Sequence, residues 1–125
     1  MPGLPFLWWL PIGRVPEITP QELHRQLAEG QPVQLIDART AVEFDTGTIG
    51  AAKFAPLTGM PDSVKRIEFD PAKPIVALCL TGHRSRPAVR WLRARGLEAY
   101  SLQGGITAWK AAGYPLEPPA AEEKT

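Results

Sequence analysis

The tetrad Ile75-Val76-Ala77-Leu78 is apolar at every position, follows Pro74 and runs straight into a polar turn. An unbroken apolar run of this length marks a strand covered on both faces, as in a parallel sheet flanked by helices. A strand of that kind needs parallel neighbours and a helix on either side to bury it. The 125 residues suffice for one domain of this type, since single domains typically run to about 100–150 residues.

The remaining pattern supplies those neighbours. Thr19-Pro20-Gln21-Glu22 is a helix start: Thr19 caps, Pro20 suits the first helical position, and Glu22 is placed to reach back as the capping-box acid. Leu23 and Leu27 share one face, and Gly30 ends the helix. Val33 to Ile36 reads as a short strand ending at Asp37, Thr40 to Asp45 as a brief helix, Ala52 to Ala55 as a weak strand and Pro61 to Ile67 as another short helix. After Leu78 comes a polar turn from Cys79 to Ser85, then a helix from Ser85 to Arg95 with Pro87 in its first turn and Gly96 as its stop. Val89, Trp91 and Leu92 give that helix its buried stripe. Leu97 to Leu102 is the next strand, and a final helix runs from Ile106 to Ala112 before Gly113. Alternating strands and helices at this spacing predict an α/β fold, a mostly parallel sheet with helices on both faces.

Composition narrows the function. A hydrophobic share of 44% and a charged share of 22% are those of a globular protein and exclude overall disorder. A net charge of +1 gives no global field for nucleic acid. The single cysteine, Cys79, excludes a disulfide within these residues and any multi-cysteine metal or iron–sulfur site. Residues 1–16 form an apolar arm, with Pro5 to Ile12 far shorter than the ~20 residues that span a bilayer. The arm lacks a basic leader and cleavage site, so a cytoplasmic location is expected, and separately a monomer. Its Phe6, Trp8 and Trp9 are read as packing against the domain, with a membrane-interface or partner contact as the alternative. Residues 118–125 are a polar tail.

The remaining chemistry concentrates at Cys79. In open α/β sheets ligands bind beyond the carboxyl ends of the strands, and Cys79 ends the most buried one. Leu80, Thr81, Gly82, His83, Arg84 and Ser85 then lead into a helix start. Amides of a tight glycine-containing loop and of a helix N-terminus favour an anion, and a thiolate at the mouth of such a loop gains from them. Arg84, or a protonated His83, is the expected cation. A buried, inert thiol is the ordinary reading of a lone cysteine, but burial requires neither the glycine nor the cation nor the helix start.

Cys79-Leu80-Thr81-Gly82-His83-Arg84-Ser85 resembles the active-site loop of the rhodanese (thiosulfate sulfurtransferase) family, C-x-x-G-x-R-S. Three more segments resemble the family in order: Asp37-Ala38-Arg39 with Glu43-Phe44; Gly47-Thr48-Ile49-Gly50-Ala51-Ala52, with Thr48 where the family usually has His; and Leu102-Gln103-Gly104-Gly105, Ala108-Trp109 and Gly113-Tyr114-Pro115. They cover residues 17–117. The resemblance implies a five-stranded sheet between helices and a persulfide mechanism without cofactor or metal. In it, Cys79 takes a sulfur from a small anionic donor such as thiosulfate and passes it to cyanide, a thiol or a protein cysteine. It assigns Cys79 and Arg84 to catalysis and the backbone of Leu80, Thr81, Gly82, His83 and Ser85 to substrate binding, with Asp37 and Arg39 bracing the loop.

Two other readings compete. A cysteine phosphatase would carry C-x5-R, whereas Arg84 comes one place early and Arg86 one place late. A non-catalytic interaction module would not need the intact loop. Beyond Arg84, Arg86 is near enough to draw anions toward the thiol, while Arg90, Arg93 and Arg95 are read as a solvated helix face. His24 has no partner at metal-ligand spacing and reads as a surface residue; Trp91 and Trp109 read as core.

Overall fold

The computed structural model describes residues 14–119; the apolar arm up to residue 13 and the tail from residue 120 lie outside the described residues. Five parallel strands form one sheet: β1 (Glu17–Ile18), β2 (Gln34–Asp37), β3 (Lys53–Phe54), β4 (Ile75–Leu78) and β5 (Ala99–Leu102), in the order β1-β5-β4-β2-β3. Among the described residues, α1 (Pro20–Ala28), α2 (Ala41–Asp45), α3 (Asp62–Lys65) and α4 (Arg86–Ala94) connect them and α5 (Gly105–Ala111) follows β5. The apolar tetrad is β4, and it lies at the centre of the sheet.

Alternation along β4 divides its side chains between two cores. Ile75 and Ala77 join Ile36, Ala99, Val64 of α3 and Ala88, Val89, Trp91 and Leu92 of α4. Val76 and Leu78 join Leu35, Leu102, Leu23 of α1 and Ile106 and Trp109 of α5. All four β4 side chains are therefore buried, which is why the tetrad carries no polar residue.

Local sequence accounts for most element ends. Thr19 caps α1 by accepting from the Glu22 amide at 3.1 Å, with Pro20 at the first helical position. The expected capping-box return by Glu22 does not form, because its carboxylate is taken by Arg25 and Gln26. The reciprocal box appears instead at Thr40 and Glu43 of α2. Gly30 and Gly96 leave α1 and α4 with φ of +73° and +82°, values that glycine adopts without strain.

The structure departs from the sequence expectation at short elements. β1 has two residues, too few for any periodicity, and exists because Pro16 and Ile18 carbonyls accept from Ser101 and Gln103 of the neighbouring chain segment. A 3-10 turn, Leu57–Gly59, was not expected either. The strand read from Leu97 begins at Ala99, and the helices read over Pro61 to Ile67 and Ser85 to Arg95 are Asp62–Lys65 and Arg86–Ala94. His24 is not a free surface residue: it is half-buried, stacked on Tyr114 at 4.0 Å and tilted against Trp109. Nor are all the α4 arginines simply solvated. Arg93 donates to the Ala99 carbonyl, and the Arg95 guanidinium lies 3.4 Å from the Trp91 ring centroid. Trp91 and Trp109 are buried as expected.

Leu78 is fully buried at the end of β4, just before the cysteine. Leu78→Ala should lower stability by about 2–5 kcal/mol, read as a lower urea midpoint with an unchanged slope.

Candidate active site

Cys79 leaves β4 at the carboxyl edge of the sheet, where Leu78 lies in register with Asp37 and its carbonyl accepts from the Ala38 amide at 2.8 Å. The thiol is fully buried. Its Sγ accepts from the Gly82 amide at 2.9 Å and lies 3.4 Å from the Ser85 hydroxyl. Ser85 is itself buried, 2.6 Å from the hydroxyl of Ser101 on β5. Gly82 has φ of +97°, and a Cβ there would come within 3.2 Å of the Gly104 amide nitrogen. Only glycine lets the loop turn its amide onto the sulfur and still pass under Gly104.

The first turn of α5 anchors the loop from outside. The Cys79 carbonyl accepts from the Ile106 amide at 2.8 Å and the Leu80 carbonyl from the Thr107 amide at 2.9 Å. This approach requires Gly105, since a Cβ there would stand 2.4 Å from the Cys79 carbonyl oxygen and 2.5 Å from that of Leu80. In a trans peptide N–H points opposite to C=O. With those two carbonyls aimed at α5, the Leu80 and Thr81 amides point away from it. Among the described residues, the amides of Leu80, Thr81, His83, Arg84 and Ser85 donate to no protein acceptor. The loop that carries the sulfur thus also carries unspent amide donors, the kind of group that can hold an anion.

Arg84 is placed differently from the sequence expectation. Its guanidinium forms a two-pronged pair with Glu43 of α2, at 2.8 and 2.9 Å, rather than a contact with the thiol. The fork geometry of guanidinium and carboxylate favours this pairing over a single contact with sulfur. Glu43 serves two elements at once, since the same carboxylate accepts from the Thr40 amide at 3.0 Å. The Arg84 bond and the Thr40 bonds outweigh partial burial and push the Glu43 carboxyl down to about 2. The Arg84 guanidinium is shifted upward, first by the Glu43 bond and then by attraction from Glu43, Cys79 and Asp37. His83 is exposed and its Nδ1 lies 3.0 Å from the Thr81 hydroxyl, outside the sulfur's contacts.

Asp37 and Arg39 tie the end of β2 to residues 47 and 48. They form a buried ion pair, with Arg39 Nη2 2.9 Å from Asp37 Oδ2, and Arg39 also donates to the Gly47 carbonyl. The Thr48 hydroxyl donates to Asp37 Oδ2 at 2.7 Å, so the residue that departs from the family pattern closes this network. Among the described residues, no cluster of His, Cys, Asp and Glu fits a metal ion.

A model of the Rhodanese-like domain family matches residues 19–112. The chain belongs to this family. It is 34% identical over 106 residues to a sulfurtransferase of Allochromatium vinosum, covering 84% of this chain and 97% of that one. It is 32% identical over 99 residues to a tRNA uridine(34) hydroxylase of Bordetella parapertussis, covering 75% of this chain but 41% of that protein. Among solved structures, a rhodanese-like domain protein of Staphylococcus aureus superposes with a TM-score of 0.71 at 34% identity, over 85% of this chain and all of the other. These likenesses match the five-stranded parallel architecture, and one of these relatives is named a sulfurtransferase while another is named a tRNA hydroxylase.

The fold therefore brings Cys79, Gly82 and Ser85 into direct contact, turns the Arg84 side chain to Glu43 and that of His83 to Thr81, and pairs Asp37 with Arg39 at the end of the neighbouring strand β2. Sequence reasoning assigned no role to Ser101, Glu43 or Gly105. A serine inside an otherwise apolar strand and a glutamate at the third position of a helix were the available signals.

Two outcomes follow from this geometry. Gly105→Ala should detach the loop from α5 and sharply change the alkylation rate of Cys79, measured with iodoacetamide while circular dichroism reports the fold. The Glu43 carboxyl is held near 2 in the folded chain against about 4.5 unfolded, so its contribution is complete above about pH 4.5 and is lost as pH falls toward 2. The stability advantage of the native chain over Glu43→Gln should therefore shrink across that window, measured as the gap between urea midpoints.

Proposed function

We propose that this chain is a sulfurtransferase that carries sulfur on Cys79, taking it from thiosulfate or a similar small anionic donor. The observation that carries this reading is a fully buried Sγ at the centre of a loop whose amides are largely unspent. The Cys79 thiolate attacks the outer sulfur of thiosulfate, an S–S bond forms, the donor's S–S bond breaks and sulfite leaves with the electron pair. Cyanide or a thiolate then attacks the outer sulfur of the Cys79 persulfide and regenerates the thiolate. Two easier displacements replace one direct transfer.

The amides of Leu80, Thr81, Gly82, His83 and Ser85 supply the anion-binding groups for donor oxygens and for the persulfide sulfur. A thiol with no exposed surface favours a small donor. With no second cysteine among these residues, the acceptor comes from outside them, as a small thiol or a protein cysteine. The two-pronged bond of Arg84 to Glu43 supports a role in holding the loop.

Incubation with thiosulfate should add about 32 Da, one sulfur atom, to the intact chain. Cyanide should remove the addition with release of thiocyanate, and Cys79→Ala should never acquire it. A chain that stays at its native mass with thiosulfate and with organic persulfide donors would overturn the proposal.

A further inference from the structure

Ser101 has no place in the scheme above, yet it is a fully buried polar side chain one hydroxyl away from the reacting sulfur. Its Oγ lies 2.6 Å from Ser85 Oγ and 3.5 Å from the Gly82 carbonyl, and Ser85 Oγ lies 3.4 Å from Cys79 Sγ. A continuous hydroxyl chain thus runs behind the loop from the sulfur to β5 and back to the loop at Gly82. We propose that Ser101 is a positioning residue for Cys79, acting through the Ser85 hydroxyl to favour the thiolate.

The argument is one of proton direction. Each serine hydroxyl donates one hydrogen. With a neutral thiol, S–H donates to Ser85, Ser85 to Ser101 and Ser101 to the Gly82 carbonyl. When the thiol proton leaves, the sulfur becomes an acceptor only. Ser85 then turns its hydrogen onto Sγ, and Ser101 turns its own onto Ser85. The hydroxyls keep their protons; only their orientation reverses. A chain of donors ending on an anion is strengthened link by link, because each oxygen that donates to a negative partner becomes a better acceptor. The link given up, Ser101 to the Gly82 carbonyl, is the longest at 3.5 Å. Exchange of that contact for one directed at the sulfur favours the charged form.

The charges around the thiol leave this role open. From the loop come Arg84, paired with Glu43 of α2, and His83, bonded to Thr81. Asp37 and Arg39 at the end of β2 are paired with each other, Arg86 begins α4 and Lys110 lies in the last turn of α5, and among the described residues no hydrogen bond joins any of these four to the sulfur. The strand β5 contributes no carboxylate or cation; its share is the Ser101 hydroxyl.

The inference rests on Cys79 as the reacting thiol, and its test needs no sulfur donor. Alkylation of the single cysteine by iodoacetamide is followed across about pH 5 to 10, the range over which thiolate fractions change. Ser101→Ala should move the midpoint to higher pH by about half a unit. Ser101→Thr and Ser101→Val have nearly the same shape and differ in the hydroxyl, so Thr should keep the native midpoint and Val should move with Ala. In a Ser85→Ala background the Ser101 substitutions should have no further effect on the midpoint. Superimposable profiles for Thr and Val, or a Ser101 effect that persists without Ser85, would overturn the proposal even if Ser101→Ala failed to fold. A purely structural serine would alter melting without moving the midpoint. A chain that shows the Ser101 effect but takes up no sulfur would reject the sulfurtransferase reading alone.

Discussion

Two hydrogen bonds from the start of α5 to the Cys79 and Leu80 carbonyls organise the whole site. They turn those carbonyls outward, and peptide planarity then turns the following amides the other way. A loop that offers its amides to one side needs backbone dipoles held in an order they would not adopt alone. Gly105 admits that approach, and Gly82 lets the loop close on the sulfur. Gly105 is thus part of the thiol's environment, although it lies more than twenty residues along the chain.

Charge is spent in the same economical way. By sequence, Arg84 is the expected cation beside the thiol, with Arg86 near enough to draw anions toward it. Folding instead pairs Arg84 with Glu43 and Arg39 with Asp37, and lays Arg93 and Arg95 against Tyr100 and Trp91. Charge-paired arginines hold loops and helices in register, and the amides of the loop stay unspent beside them. Glu43 links the two scales, completing the capping box of α2 and restraining the loop with one carboxylate.

Much of this architecture is legible in the chain itself. The β4 tetrad demands two-sided burial, and the two cores meet on its alternating faces. Thr19-Pro20 and Pro87 start α1 and α4 because their constraints act within a few residues. β1 was not legible, since a two-residue strand has no pattern apart from the β5 edge that orders it. His24 likewise reads as exposed until Tyr114, distant in sequence, stacks on it.

The sequence by itself determined the fold class, the strand that ends in Cys79 and the loop composition that suits an anion, because each depends on local periodicity, proline and glycine. Tertiary structure decided which groups touch the sulfur. It gave Arg84 to Glu43, brought Ser101 behind Ser85 and set α5 against the loop carbonyls. The reason is physical: local propensity acts over a turn of helix or a few strand residues, whereas a guanidinium or hydroxyl takes its partner from whatever side chain the packed sheet brings within about 3 Å.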